Sequence, residues 1–225
     1  MDDPMIRRAI QLAFPRDKVA HVTYEDYVSP AQGLVPKGML DRDWPVDALP
    51  YDLDAAREAI AKSRYGSADK VPPIQIYLAG GGAAESLRDS LKTSLGLTIE
   101  VISVDWPEFV DGLSRRSYPA YELYWSADYP DPESFLWTLF GSGSADNYIG
   151  YHNPAFDTLL ANAATAKSVD EQASFYAQAN QALMDDSVVI PLYYDVAYTV
   201  MKPYVKGLHM TPLGIMRLET VWLEH

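Results

Sequence analysis

The chain contains no cysteine, few cations and no long apolar run. The first absence removes disulfides, thiol nucleophiles and cysteine-ligated metals. Lys and Arg number 18 against 31 Asp and Glu, a formal charge of -13. Nucleic acid and anionic lipid both require cations to neutralise phosphate, so the sequence disfavours either as a partner. No stretch approaches the ~20 consecutive apolar residues of a membrane-spanning helix. The histidines His21, His152, His209 and His225 have no i, i+4 partner and no suitably placed Glu, so no helical zinc motif forms. A G-x-S-x-G elbow is missing too, and Gly141-Ser142-Gly143-Ser144 reads as a loop. No charged n-region and apolar h-region precede the first helical pattern.

What is present is a chain of 225 residues, 48% of them hydrophobic. That suits one domain, or one domain with an extension. Apolar periodicity predicts one or two short helices over 4–21, with Pro15 opening a second turn. Residues 25–51 are rich in proline and lack a period, as expected of a long surface excursion. Asp52 can cap a helix carrying Leu53, Ala56 and Ile60 inward. Ile74, Ile76 and Leu78 alternate as in a strand. Gly80-Gly81-Gly82 follows, then a helix with Leu87, Leu91 and Leu95 on one face, ending at Gly96. Residues 97–104 are β-branched and read as a second strand, which makes a right-handed parallel βαβ unit. A short helix from Trp106 to Leu113, a third strand over Tyr121–Trp125 and a helix near 132–140 come next. Asn153-Pro154 and Ser168 open two more helices. Val188–Tyr194 reads as a buried strand in which Pro191 marks an edge or bulge. Residues 196–222 show strands and turns without a helix, and Leu223-Glu224-His225 reads like the scar before a polyhistidine tag.

Three features could carry chemistry. The triple glycine could bring backbone amides to an anion, but it lacks the spacing of a nucleotide loop and fits a tight turn better. Asp128, Asp131 and Glu133 could serve glycoside hydrolysis or hold calcium; Asp131 and Glu133 also suit the start of a helix at Pro132. Trp106 and Trp125 each stand at the end of an expected strand, on one edge of a parallel sheet. Ligands of open α/β sheets gather at that edge, although two core tryptophans would show the same spacing. The prolines of Trp125-Ser126-Ala127-Asp128-Tyr129-Pro130-Asp131-Pro132 hold that stretch as a constrained loop.

This octapeptide, followed by Phe135-Leu136, resembles the W-x-x-D-x-x-D-P-x-x-F motif of family 5 extracellular solute-binding proteins. These are receptors of ABC importers for dipeptides, oligopeptides and nickel. Arg7-Arg8-Ala9-Ile10 with Arg16, the loop Val28–Pro36, Tyr151–Leu160 and Val189-Ile190-Pro191-Leu192-Tyr193 resemble further family segments in the same order. The resemblance implies an α/β, periplasmic-binding-protein-like lobe with a mixed, partly parallel sheet flanked by helices and a C-terminal β-rich tail. Residues 1–195 would be the C-terminal ligand-binding lobe, 196–222 a return segment joining another lobe, and 223–225 the tag scar. It implies a periplasmic or extracellular protein that binds a small-molecule or peptide ligand and hands it to membrane permease subunits. No catalytic residue, metal or cofactor is implied. Asp128 would pair with a ligand amine, with Trp106, Trp125 and Tyr129 lining the cleft. Trp106 precedes Trp125 by nineteen residues, as a ligand-facing Trp does in oligopeptide binders. Glu122 stands where some of these have an Arg for the ligand's carboxylate, and that departs from a simple peptide reading. Rival readings are a carbohydrate-active enzyme using Asp128 and Asp131, and a protein-interaction domain using its acidic face and the 25–51 loop.

Overall fold

Local chemistry sets the helix ends. The computed structural model describes residues 1–39, 46, 50–211 and 213–224. Asp3 caps α1 (Pro4–Ala13) by accepting the N–H of Met5, and Asp52 caps α3 (Leu53–Lys62) through the N–H groups of Asp54 and Ala55. Between them lie a short α2 (Arg16–Lys18) that runs into a wider turn to Thr23, and strand β1 (Val28–Pro30). Part of the expected 25–51 excursion lies outside the described residues. Strand β2 (Ile74–Leu78) buries its alternate residues Ile74, Ile76 and Leu78. Helix α4 (Ala84–Leu95) buries Leu87, Leu91 and Leu95 and stops at Gly96, whose φ of 73° is left-handed. Strand β3 (Ile99–Ser103) then pairs with β2 in parallel, Ile74 opposite Ile99. The expected βαβ unit is therefore observed.

Among the described residues four more α-helices follow. These are α5 (Trp106–Ser114), α6 (Glu133–Phe140), α7 (Pro154–Thr165) and α8 (Val169–Asp185). Asn153 caps α7 and Ser168 caps α8, as their spacing predicts. Two strands are shorter than expected. The stretch over Tyr121–Trp125 makes only a parallel bridge from Tyr121 to Tyr77. Within Val188–Tyr194 only the end is strand: β4 (Tyr193–Asp195) lies antiparallel to β1. The carbonyl of Pro191 instead accepts from the Arg16 guanidinium. The strands are thus gathered in separate two-stranded ladders within an α/β fold.

Two apolar cores form. One joins α1, α3, β2, α4 and β3, around Ile10, Phe14, Leu91 and Leu97. The other joins α6, α7 and α8, around Leu136, Phe156, Tyr176 and Leu183. Arg7 ties them by donating to the carbonyls of Asp186 and Ser187, just past α8. After β4 the tail folds on itself. In it β5 (Val205–Lys206) pairs with β8 (Trp222–Leu223), and β6 (His209–Met210) pairs with β7 (Met216–Arg217). Leu223, expected in a tag scar, belongs to that ladder; His225 lies outside the described residues. Among the described residues no helix is long and apolar enough to cross a membrane.

Candidate functional site

A cavity of about 1230 Å³ opens between the two cores. Ile76 and Leu78 of β2 line it from one side, and Phe135, Leu139 and Phe140 of α6 from the other. Gly81 and Trp106 lie on its wall just beyond the carboxyl ends of the parallel strands, with the segment Tyr121–Ala127 leading away from its bridge to β2, and open α/β sheets receive ligands at that edge. Tyr148, Tyr151, Tyr193 and Tyr194 make the lining strongly aromatic. Such rings give large contact area at little conformational cost.

Trp106 is held by the start of α5. Asp105 caps that helix through the N–H of Glu108, at 2.9 Å, and Pro107 fixes the first turn. The indole, 61% exposed, leans on Phe109 at 5.9 Å between ring centroids. Phe109 stacks on Tyr118, and Tyr118 on Tyr77 at 4.1 Å. The exposed tryptophan thus rests on an aromatic stack rooted in β2, a base that resists tilting.

The motif loop is anchored by a residue the sequence did not single out. Ser134, fully buried at the start of α6, accepts the indole N–H of Trp125 on its carbonyl at 3.0 Å. Its hydroxyl oxygen accepts the N–H of Asp128, also at 3.0 Å. Ser134 therefore positions two of the expected ligand residues at once. A serine one residue past a helix start is so common that nothing in its spacing marks this role. Trp125 lines the cavity; Asp128 lies between Ala127 and Pro130, which line it, and is exposed at the rim. Its carboxylate makes no hydrogen bond or ion pair with the described residues. Tyr129 turns its hydroxyl to Glu133 at 3.3 Å and lies off the wall. So Trp106 and Trp125 share the cavity wall, Asp128 stands at its edge, and Tyr129 faces α6.

The acidic cluster separates by role. The Asp131 carboxylate accepts the N–H of Glu133 at 2.9 Å and so begins α6. A carboxylate spent on a helix start is poorly placed to pair with Asp128 in hydrolysis. Ser142 and His152 meet at 2.9 Å, but Asp157 binds the Ser142 backbone N–H, at 3.0 Å, and does not orient the imidazole. Among the described residues no group of three or more His, Asp or Glu could hold a metal. The triple-glycine turn does meet an anion, and it is internal: the N–H groups of Ala83 and Ala84 donate to Glu122. Burial pushes the Glu122 carboxyl above the ordinary value of 4.5, against the lowering effect of those two bonds.

Residues 1–147 match the model of the bacterial extracellular solute-binding proteins, family 5. A probable di/tripeptide-binding protein 5 of Pseudomonas aeruginosa is 25% identical over 95% of this chain and 42% of its own length. The periplasmic oligopeptide-binding protein OppA of Escherichia coli is 27% identical over 92% of this chain and 39% of its own. The chain thus spans about two fifths of these curated relatives. In fold, it superposes on OppA of Burkholderia pseudomallei with a TM-score of 0.83 at 24% identity, covering 99% of this chain and 46% of that one. For HbpA2 of Haemophilus parasuis the TM-score is 0.85 at 20% identity, over 99% and 45%. The fold is accordingly that of a type II periplasmic binding protein, and the chain belongs to the bacterial extracellular solute-binding proteins of family 5.

Proposed function

We propose that this chain is the ligand-facing part of the substrate-binding component of an ABC importer, binding a peptide or another amine-bearing solute without catalysis. Residues 1–195 would form one lobe, and 196–222 would return to a second lobe that closes over the cavity by a hinge. The protein would work in the periplasm or outside the cell and deliver its solute to the permease subunits. One observation carries this reading: an aromatic cavity at the carboxyl ends of β2 and β3 has at its rim an exposed carboxylate, Asp128, that makes no hydrogen bond or ion pair with the described residues. Curated relatives named for di/tripeptide and oligopeptide binding support it. Trp106 and Trp125 would pack on the ligand, Asp128 would take its ammonium in a charge-assisted hydrogen bond, and Tyr129 would stand at the rim beside it.

The test is an NMR titration of the chain with tri-alanine and with its N-acetylated form. Tri-alanine should shift the Trp106 and Trp125 indole N–H signals, and acetylation should weaken binding about tenfold or more, as loss of a hydrogen bond to a charged group does. Asp128→Asn should erase the difference between the two peptides. Equal binding of both by the wild-type chain would remove Asp128 from the site.

A further inference from the structure

The turn between β2 and α4 already contains an anion supplied by the protein. Glu122 reaches it from a point 39 residues further along the chain. Its Oε1 accepts the N–H of Ala83 at 2.7 Å, and its Oε2 that of Ala84 at 2.8 Å. Helix α4 has 12 residues, and its aligned peptide dipoles add partial positive charge at this end. Gly82 makes the room: a Cβ there would lie 2.5 Å from Oε1 of Glu122. The N–H pair that could hold a ligand's carboxylate is therefore taken.

Glu122 is also part of the cavity wall. Of the cations on that wall, Arg7 donates to the carbonyls of Met1, Asp186 and Ser187, Arg116 to that of Asn147 and the amino terminus to that of Pro119, while Lys37 lines the cavity as well. Among the described residues none forms an ion pair with Glu122. A carboxylate has about four lone-pair sites, and the two amides use one on each oxygen. We propose that Glu122 sets the charge preference of this wall, accepting a cationic or amide N–H donor from the ligand and turning away a free carboxylate. The inference rests on the peptide-binding reading above and narrows it, to peptides that present a basic side chain or a blocked carboxyl end to this wall. A free carboxylate would meet like charge in a cavity that screens it less than water.

The test compares tri-alanine with tri-alaninamide by NMR titration of the wild-type chain and of Glu122→Ala. The wild type should bind the amide about tenfold more tightly, a difference of about 1.4 kcal/mol. Glu122→Ala should lose that preference, and acetate should shift the freed Ala83 and Ala84 N–H signals. If Glu122→Ala fails to fold, Glu122→Gln, which keeps an acceptor without the charge, should show the same loss. An unchanged preference in the folded variant overturns the role of Glu122 while peptide binding stands. Absence of binding by either peptide overturns the peptide reading and the ligand class with it. Acetate leaving the Ala83 and Ala84 signals unmoved overturns the filled anion site.

Discussion

Gly82 and Glu122 depend on each other. Any side chain at 82 meets the carboxylate, so Gly82→Ala should push Glu122 off the first turn of α4. The expected cost is about 1 kcal/mol, that of a lost helix cap, read from chemical denaturation. Two acids here also respond to pH in opposite directions. Burial raises the pKa of Glu122, so the stability it lends is present below 4.5 and lost as pH rises through its folded value. Burial also pushes Asp3 up, but N–H donors from Arg64, Met5 and Ile6 outweigh it and leave its pKa lowered. Asp3 therefore stabilises above its ordinary 3.8, and that contribution is lost as pH falls. Carboxyl NMR titration should find Glu122 above 4.5 and Asp3 below 3.8. Asp3→Asn should flatten the acid limb of the melting-temperature profile.

Elements here are held at their ends more than by their length. The caps Asp52, Asn153 and Ser168 each accept N–H groups of the following first turn. Replacing any one with Ala should cost about 0.5–2 kcal/mol. Leu183, fully buried on α8, should cost about 2–5 kcal/mol as Leu183→Ala, because the α6–α8 core cannot close the void. The loop before α6 is a separate case. Ser134→Ala removes the acceptor of the Asp128 N–H but none of the helix hydrogen bonds. Hydrogen exchange at Asp128 should quicken while α6 keeps its protection. Equal exchange in both proteins would mean that the prolines and the Trp125 indole bond to the Ser134 carbonyl hold the loop without the hydroxyl. The expected strand over Tyr121–Trp125 shows the limit of reading elements from pattern. Its residues suit a strand, but the pairing stops at the bridge of Tyr121 to Tyr77, which the N–H of Glu122 closes by donating to the Tyr77 carbonyl while its side chain reaches the start of α4.

At the scale of the molecule, apolar surface is unevenly covered. Val200 is 96% exposed, Leu218 68% and Tyr198 62%, all in the tail. The proposed return segment, laid against another lobe, would cover side chains of this kind. The tail's ladders are two residue pairs each, so its amides should exchange well before those of β2 and β3. Val200→Ser with Leu218→Ser should leave the melting temperature of the cores unchanged and reduce the binding of an apolar dye. Half of a two-lobed cleft should also bind weakly, since closure supplies the remaining contacts. Micromolar or tighter affinity of this chain for tri-alanine, measured by calorimetry, would contradict the two-lobe reading.

By itself the sequence determined the βαβ unit, the caps, the Gly96 stop and the family motif, since each depends on residues within a few positions of one another. Helix and strand periods and capping boxes are local hydrogen-bonding rules, and they are visible as spacing. Tertiary structure alone decided which of the motif's acids face the cavity and which begin α6. It also put Ser134 under Trp125 and Asp128, cut the strand before β4 short, and filled the glycine turn with Glu122. That last contact joins residues 39 apart. No period encodes it, because it exists only once two strands have paired in register and brought one chain segment over the start of another's helix.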